Sequence, residues 1–288
     1  MKIFYEIIMS LQEKIKKSIG LIQKAERLAL KMQPNIGFYV GFSGGKDSQV
    51  TLELVKMAKV KYRAIYNVTT NDPAENVRFI KKYYPDVEFS VPQKSYLNLI
   101  TQNGVPTMSN RWCCDKFKET SGVGCVVITG VRREESKKRA EYEEISKKNR
   151  SKNKRGRVDI DKMEANEFRC VGGKDKFMVY PILEWREKDV WEFIAMRGIQ
   201  VNPCYKNRTR VGCVFCPFAK PKDIKEYCET HPKLKMAFIH AIEKYRVGKS
   251  DRQKLPTAED YFNWWVSRIS LKDYIAKKKQ LSLEFNDM

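Results

Sequence analysis

The apolar stretch IGFYVGF at residues 36–42 runs directly into SGGKDS at residues 43–48, and this junction decides the fold. The apolar half has the length and composition of a buried β-strand. A helical pattern follows as far as about residue 60, so the two glycines lie in a tight strand-to-helix turn. The junction is therefore the first half of a βαβ unit.

Four more apolar runs predict buried strands, at residues 62–68, 87–91, 125–129 and 177–180. Helical patterns alternate with the strands, at 73–84, 96–101 and 187–196, and residues 3–32 predict an amphipathic helix. This alternation predicts an α/β fold with a parallel, five-stranded sheet and flanking helices. We expect an N-terminal helix at 1–35, the α/β domain at 36–218 and a helical C-terminal region at 219–288, in which the aromatic residues Tyr261, Phe262, Trp264 and Trp265 belong to the core.

Polar segments follow three of the predicted strands: the SGGKDS loop, Asn67–Asn71 and Gly130–Arg133. In open parallel sheets, ligands bind at the carboxyl ends of the strands. This placement predicts a nucleotide site that includes Asn67, Gly130 and the two arginines Arg132 and Arg133.

The loop itself has the chemistry of a phosphate site. Gly44 and Gly45 let several N–H groups point inward, and the next helix adds its positive N-terminal end. Ser43 and Ser48 offer hydroxyl groups and Lys46 a charge, while Asp47 either binds Mg²⁺ or orients the loop. The spacing differs from that of a Walker loop, which excludes that class of site.

The chain is strongly basic, with 56 Lys and Arg against 35 Asp and Glu and a formal charge of +21. Such a charge favours contact with nucleic acid or another polyanion, although a lysine-rich surface without a partner explains it equally well. Residues 137–157 hold ten basic and three acidic residues, for a local charge of +7. We expect a mobile basic insertion there, either a polyanion contact or a solvated linker.

No apolar stretch approaches 18 residues, which argues against a membrane span, and the N-terminus lacks the pattern of a secretory signal. We therefore expect a cytoplasmic protein. In a reducing compartment, its eight cysteines suggest ligands or chemistry more than disulfides.

Four cysteines form two close pairs, Cys113-Cys114 and Cys213-x-x-Cys216, with 98 residues between the pairs. Four thiolates suit a [4Fe–4S] cluster or Zn²⁺, and buried free cysteines are the alternative. Of the other cysteines, Cys204 and Cys170 are candidates to carry a persulfide. Cys204 is preferred because it lies closer in sequence to the second pair.

The SGGKDS loop resembles the PP-loop of the ATP pyrophosphatase superfamily, the adenine nucleotide α-hydrolases. Gly130-Val-Arg-Arg-Glu-Glu-Ser136 resembles a segment of its phosphoadenylyl-sulfate (PAPS) reductase branch, and the Cys-Cys…C-x-x-C pattern resembles the cluster-binding set of adenylyl-sulfate reductases. The resemblance implies a Rossmann-like fold of the HUP type and cleavage of ATP, bound with Mg²⁺, between its α- and β-phosphates. It also implies roles for Lys46, Asp47, Arg132 and Arg133 in catalysis, and favours [4Fe–4S] over Zn²⁺.

Sulfonucleotide reductases carry a nucleophilic cysteine in a C-terminal tail, and this sequence has no cysteine after Cys228. The leading hypothesis is therefore sulfur insertion into nucleic acid, because the chain is similar to the sulfur-insertion component of DNA phosphorothioation systems. That similarity implies a DNA acceptor, with tRNA as the less favoured alternative, and a cysteine desulfurase as sulfur donor. A sulfonucleotide reductase of unusual architecture is the runner-up, and a basic nucleic-acid-binding module with structural zinc is the third hypothesis.

Overall fold

The computed structural model describes residues 9–149, 154–157, 176–247 and 255–286. The start of the predicted N-terminal helix, the centre of the basic insertion and Cys170 lie outside this part of the chain. Two compact units result, and each combines several chain segments. Unit 1 comprises Met1–Asn67, Ala74–Ser90 and Thr120–Val211, and unit 2 comprises Val68–Pro73, Val91–Glu119 and Gly212–Met288. The sequence-based boundaries at residues 35 and 218 divide the chain linearly and remain a prediction.

The helices within the described residues are α1 (Leu11–Met32), α2 (Lys46–Ala58), α3 (Ala74–Tyr83), α4 (Tyr96–Asn103), α5 (Trp112–Cys114), α6 (Lys137–Ala140), α7 (Glu187–Met196), α8 (Pro221–Thr230), α9 (Pro232–Arg246), α10 (Ala258–Ser267) and α11 (Leu271–Asn286). The strands are β1 (Phe38–Phe42), β2 (Tyr62–Asn67), β3 (Glu88–Ser90), β4 (Val126–Ile128), β5 (Ile145–Asn149), β6 (Lys154–Arg157) and β7 (Lys176–Val179). Among these helices, none is long and apolar enough to cross a lipid bilayer.

Unit 1 contains a seven-stranded sheet in the order β3-β2-β1-β4-β7-β5-β6. The first five strands run parallel, which confirms the predicted α/β fold. They pair in register, with Phe42 opposite Tyr66 and Ile128 opposite Val179. The carboxyl ends of β1 and β4, where SGGKDS and Gly130–Arg133 begin, therefore lie side by side.

Over its described residues, the basic segment forms two strands and the short helix α6, and the mobility expected of it remains a prediction. Strands β5 and β6 form an antiparallel hairpin, and β5 also pairs with β7. Ile145 and Ser146 at the start of β5 are 8% and 3% exposed, so this end of the hairpin is anchored in the unit. The run of lysines and arginines masks the alternating pattern by which a strand is usually recognised.

Helix α1 covers the sheet unit with an apolar face that buries Ile15, Ile22 and Leu28. Its start at Leu11 follows from a capping box, in which the Ser10 side chain and Glu13 satisfy each other's backbone N–H groups. The Nζ atom of Lys14 lies 2.5 Å from Asp189 at the start of α7. The predicted amphipathic helix is thus confirmed over its described part.

Unit 2 is helical and has an aromatic core. Phe215, Phe238 and Phe262 are fully buried, and Trp265 is 7% exposed. Tyr261 and Trp264 pack against this core, as expected from the sequence. A π-helical turn, Asp115–Glu119, follows α5 directly.

Candidate functional site

The SGGKDS loop joins β1 to α2 in unit 1 and needs a glycine at position 44. The φ angle of Gly44 is +75°, and a Cβ atom there would lie 2.3 Å from Oδ1 of Asn76. Gly45 occupies the N-cap position of α2 and supplies no capping side chain. The first N–H groups of a helix have no partners within the helix, so this end of α2 has the character of an anion site.

The two serines of the motif brace the loop from within. The Ser43 N–H donates to Oγ of Ser48 at 3.2 Å, and this hydroxyl donates to the Gly45 carbonyl at 2.8 Å. The Gly45 N–H donates to Oγ of Ser43 at 3.3 Å. Both hydroxyls, which the sequence predicts as phosphate contacts, therefore lie at the loop and hold its shape.

Lys46 and Arg132 converge on the carboxylate of Asp47. Nζ of Lys46 lies 3.2 Å from Oδ2 of Asp47, and Nε of Arg132 lies 2.7 Å from Oδ1. Burial opposes the charge of Arg132, but the Asp47 carboxylate raises the pKa of this arginine above its ordinary value. Asp47 therefore pairs with both cations at the loop, and both roles predicted for it, orientation of the loop and binding of Mg²⁺, remain predictions.

Two further carboxylates complete this charged group. Nη1 of Arg132 lies 2.6 Å from Glu134, and Nζ of Lys46 lies 3.5 Å from Glu187. The Glu187 N–H donates to Oε2 of Glu134 at 2.7 Å, which ties the start of α7 to the segment after β4. The arrangement holds two cations at fixed positions beside a phosphate-type loop.

Gly130 lets the end of β4 approach the first turn of α2. A Cβ atom at this position would lie 2.5 Å from the Asp47 carbonyl oxygen and 2.8 Å from Oγ1 of Thr51. The close approach brings Arg132 to the loop. The close contact with α2 explains why glycine is needed at position 130. The predicted contact of its backbone with a nucleotide remains a prediction.

The two adjacent arginines have different partners. Arg132 is 4% exposed and contacts Asp47 in the loop, whereas Nε of Arg133 lies 2.7 Å from Oε1 of Glu184. The Arg133 guanidinium also donates to the carbonyl of Ala140. Arg132 is therefore the arginine that the structure brings to the loop.

Asn67, predicted as a nucleotide contact, lies at the end of β2. Its Oδ1 accepts hydrogen bonds from the Tyr39 hydroxyl at 3.0 Å and from Oγ of Ser121 at 2.7 Å. These bonds join the end of β2 to β1 and to the segment that precedes β4. The predicted nucleotide contact of Asn67 remains a prediction.

The turn at Pro203–Lys206 contributes side chains to the loop that sequence analysis did not assign. The Lys46 N–H donates to the Tyr205 hydroxyl at 2.8 Å, and Nδ2 of Asn202 donates to the Gly44 carbonyl at 2.8 Å. Burial raises the pKa of Tyr205 above its ordinary value, so the hydroxyl stays protonated. Asn202-Pro203 at the start of a turn is the signal that marks this segment.

A cavity of about 560 Å³ opens next to this turn within unit 1. Its walls include Trp191 and Tyr205, whose rings meet edge to face with centroids 5.3 Å apart. Glu187 and Asn202 also line it. Three side chains that contact the loop, those of Glu187, Asn202 and Tyr205, therefore also line the cavity.

Cys204 lies inside the same turn. It is 4% exposed, and burial raises the pKa of its thiol to about 12. A high pKa disfavours the thiolate from which a persulfide forms. Its predicted role as a sulfur carrier remains a prediction with this environment against it.

The four paired cysteines all belong to unit 2. Cys113 and Cys114 end α5, and Cys113 and Cys216 pack against the aromatic core. Sγ of Cys213 lies 3.4 Å from Oγ1 of Thr69 and 3.9 Å from Nζ of Lys118. One cysteine of each pair therefore packs against the same aromatic core, and shared ligation by the two pairs remains a prediction.

Charge couples these thiols to each other and to Lys118. A hydrogen bond from Cys113 lowers the pKa of Cys114 to about 5, and Arg111 adds to this effect. Burial raises the pKa of Cys213. The sulfur of Cys213, then the Asp72 carboxylate and then Cys114 raise the pKa of Lys118. Lys118 thus supplies positive charge to this group of thiols.

Four thiols in two pairs have the chemistry of a ligand set for a [4Fe–4S] cluster or Zn²⁺. Among the described residues, however, no three or more His, Cys, Asp or Glu side chains converge closely enough to hold a metal ion. The donor types fit such a group, and their positions do not form a closed coordination sphere. Metal binding by Cys113, Cys114, Cys213 and Cys216 therefore belongs to the proposals below.

The parallel sheet and the loop between β1 and α2 define an α/β protein with a phosphate-type loop at the end of its first strand. The phosphoadenosine phosphosulfate reductase domain family matches residues 37–219, and the chain belongs to that family. This confirms the resemblance to the PAPS reductase branch noted in the sequence. ATP-utilising enzymes are among the structural neighbours, including an FMN adenylyltransferase from Candida glabrata with a TM-score of 0.45, 16% identity and coverage of 72% of this chain and 66% of that one.

The similarity to individual proteins is distant. An uncharacterized protein of Methanocaldococcus jannaschii is 24% identical over 80% of this chain and 53% of its own length. The PAPS reductase of Candida auris has 17% identity and a TM-score of 0.44, covering 72% of this chain and 97% of that one. The U34-tRNA thiolase NcsA of Methanococcus maripaludis, solved with its [4Fe–4S] cluster, has 15% identity and a TM-score of 0.41, covering 90% and 82%. The chain spans about half the length of the first curated relatives it matches.

Proposed function

We propose that this protein uses ATP to activate a nucleic-acid acceptor for sulfur insertion. The observation that carries the proposal is the loop at the start of α2, where Lys46 and Arg132 lie on either side of the Asp47 carboxylate. A helix N-terminus with two fixed cations suits a polyphosphate and favours charge that develops when a phosphate bond breaks. The family of the chain supports this use of the loop.

The proposed first step is adenylation. A nonbridging oxygen of a DNA phosphate attacks the α-phosphorus of ATP, which is bound with Mg²⁺, and pyrophosphate leaves. The loop N–H groups and Lys46 stabilise the leaving pyrophosphate, while Arg132 stabilises charge at the α-phosphate. Asp47 keeps both cations in place.

In the proposed second step, the outer sulfur of a persulfide from a cysteine desulfurase partner attacks the activated phosphorus, and AMP leaves. A thiol reductant then supplies two electrons to cleave the resulting disulfide, which leaves the sulfur on phosphorus. Cys113, Cys114, Cys213 and Cys216 would hold a [4Fe–4S] cluster, which supplies iron able to bind sulfur. Lys118, 3.9 Å from Sγ of Cys213, offsets the negative charge of thiolates in this region. A base of tRNA is the alternative acceptor, since its thiolation requires the same activation by ATP.

Nucleic acid as the acceptor is supported by the basic hairpin. Arg155, Lys148 and Lys176 are register partners across β6, β5 and β7, so three basic residues stand in one row of the sheet. Residues 137–157 carry a local charge of +7, and a phosphate backbone is a polyanion that such a charge suits.

The experiment is pyrophosphate release from ATP by Lys46→Ala, with Lys56→Ala as matched control. Lys56 is an exposed lysine in the last turn of the same helix. Lys46→Ala should abolish release and leave the visible absorbance of the iron–sulfur cluster intact, and Lys56→Ala should match wild type. Normal release by Lys46→Ala would show that the loop is not the ATP site.

A sulfonucleotide reductase is the second candidate, favoured by the family match over residues 37–219. It would form sulfite from adenylyl sulfate or its 3′-phosphorylated form with a thiol reductant, and this activity would depend on Cys228 or Cys204. Bound zinc without iron and without ATP hydrolysis would instead favour a nucleic-acid-binding module.

A further inference from the structure

Three successive carbonyl groups of the loop each accept a hydrogen bond from a side chain. Nδ2 of Asn76 lies 3.2 Å from the Ser43 carbonyl, and Nδ2 of Asn202 lies 2.8 Å from the Gly44 carbonyl. The Ser48 hydroxyl holds the Gly45 carbonyl at 2.8 Å. A loop that binds anions through N–H groups needs its carbonyls turned elsewhere. Ser48 belongs to the motif, whereas the two asparagines lie far from it in sequence.

The two asparagines are joined to each other. Nδ2 of Asn202 donates to Oδ1 of Asn76 at 2.7 Å, and Oδ1 of Asn202 accepts from the Cys204 N–H at 2.9 Å. The chain of bonds fixes which end of each amide is the donor. A continuous path therefore runs from the Pro203–Lys206 turn through both amides to the loop.

Both side chains are removed from water. Asn202 is 0% exposed and Asn76 is 2% exposed. A buried amide is costly unless its partners are satisfied, and asparagine is a poor residue for a helix such as α3. Hydrogen bonds to the loop carbonyls help to offset the cost of burying both amides. Gly44 allows this contact, since a Cβ atom there would lie 2.3 Å from Oδ1 of Asn76.

We infer that Asn76 and Asn202 form an amide clamp, a pair of positioning residues that holds the Ser43 and Gly44 carbonyls away from the anion site. The N–H groups of Gly44, Asp47 and Ser48 then face the phosphates of ATP. The clamp touches the loop and not the reacting atoms. It rests on the proposed function only in taking ATP as the ligand of the loop. The clamp holds the loop in its binding conformation before ATP binds.

The test is ATP affinity, measured by calorimetry on the full chain for Asn76→Ala, Asn202→Ala and the double variant. Each single change should weaken ATP binding by roughly 10- to 100-fold, because a loop carbonyl loses its donor and the loop relaxes. The double variant should lose little more than the weaker-binding single variant, since the two amides act through one chain of bonds. Melting temperatures without nucleotide are recorded for every variant.

Ser18→Ala is the matched control. Ser18 on α1 is 2% exposed, and its hydroxyl donates to the Pro181 carbonyl at 2.6 Å within unit 1. It should lose stability as Asn202→Ala does, yet bind ATP with wild-type affinity. A general loss of folding would instead weaken ATP binding in both variants alike.

Wild-type ATP affinity in Asn202→Ala, at a melting temperature as low as that of Ser18→Ala, would overturn the clamp. If Asn202→Ala does not fold, Asn76→Ala decides, because it frees the Ser43 carbonyl and leaves the bond from Asn202 to Gly44 possible. If the wild-type protein binds adenylyl sulfate and not ATP, the proposed function fails. The same comparison of Asn202→Ala with Ser18→Ala, made with adenylyl sulfate, then decides the clamp.

Discussion

Single residues at the loop divide into those that carry charge and those that hold shape. Lys46 and Arg132 carry the positive charge, and Asp47 lies within 3.2 Å of the first and 2.7 Å of the second. Because all three are partly or fully buried, small displacements change their interaction strongly. Arg132 can therefore stabilise the charge of a phosphate at the loop only while Asp47 holds its guanidinium in place.

We expect Arg132→Ala to reduce ATP-dependent pyrophosphate release by about 100-fold or more, since a charge-assisted contact at a developing charge is lost. Arg133→Ala should reduce it far less, because Arg133 is held by Glu184 and the Ala140 carbonyl. Initial rates at saturating ATP measure both effects. Equal losses in the two variants would contradict the separate roles that the contacts indicate.

The motif residues of the loop are recognisable from sequence, whereas the residues that hold the loop are not. The motif Ser43–Ser48 is recognisable because a strand pattern, two glycines and a helical pattern follow one another within one short stretch. Asn76, Asn202 and Tyr205 reach the loop only through the folding of α3 and the Pro203–Lys206 turn. A single sequence carries no pattern that links positions so far apart.

At the scale of elements, the parallel strands were predictable and the hairpin was not. Strands β1, β2, β4 and β7 are short apolar runs between helical patterns, which is a strong signal. The hairpin of β5 and β6 is almost entirely basic and polar, and its pairing with β7 gives it backbone partners that its composition does not reveal.

Removing the basic residues of β6 tests whether the hairpin binds nucleic acid. Lys154→Ser, Arg155→Ser and Arg157→Ser together should weaken duplex DNA binding and reduce the slope of log affinity against log salt by up to about 3. Lys16, Lys24 and Lys31, exposed on α1, give a control with the same change in charge when replaced by serine. A control that weakens binding equally would mean that net charge alone, and not the hairpin, attracts DNA.

Replacement of each paired cysteine tests the metal centre of unit 2. Cys113→Ser and Cys213→Ser should lose iron and the visible absorbance of anaerobically purified protein, because a cluster needs all of its thiolates. Cys125→Ser is the control, since Cys125 lies in unit 1 and has the raised pKa of a buried thiol. Full iron content in Cys213→Ser, or zinc in place of iron in the wild type, would contradict the [4Fe–4S] assignment.

At the scale of the whole molecule, the chain divides its chemistry between two units. The nucleotide loop lies in unit 1 and the paired cysteines lie in unit 2, and each unit is assembled from separate chain segments. A division along the sequence does not anticipate this interleaving. Two segments of unit 2, Val68–Pro73 and Val91–Glu119, lie between the segments that form the sheet of unit 1. The charge of +21 belongs to the molecule as a whole and favours a polyanionic partner.

The most direct test of the central claim is pyrophosphate release from ATP by anaerobically purified protein, with and without duplex DNA. The proposed function predicts release that DNA stimulates, because the DNA phosphate is the attacking group. No release under either condition, together with sulfite formation from adenylyl sulfate, would contradict it and make the protein a sulfonucleotide reductase.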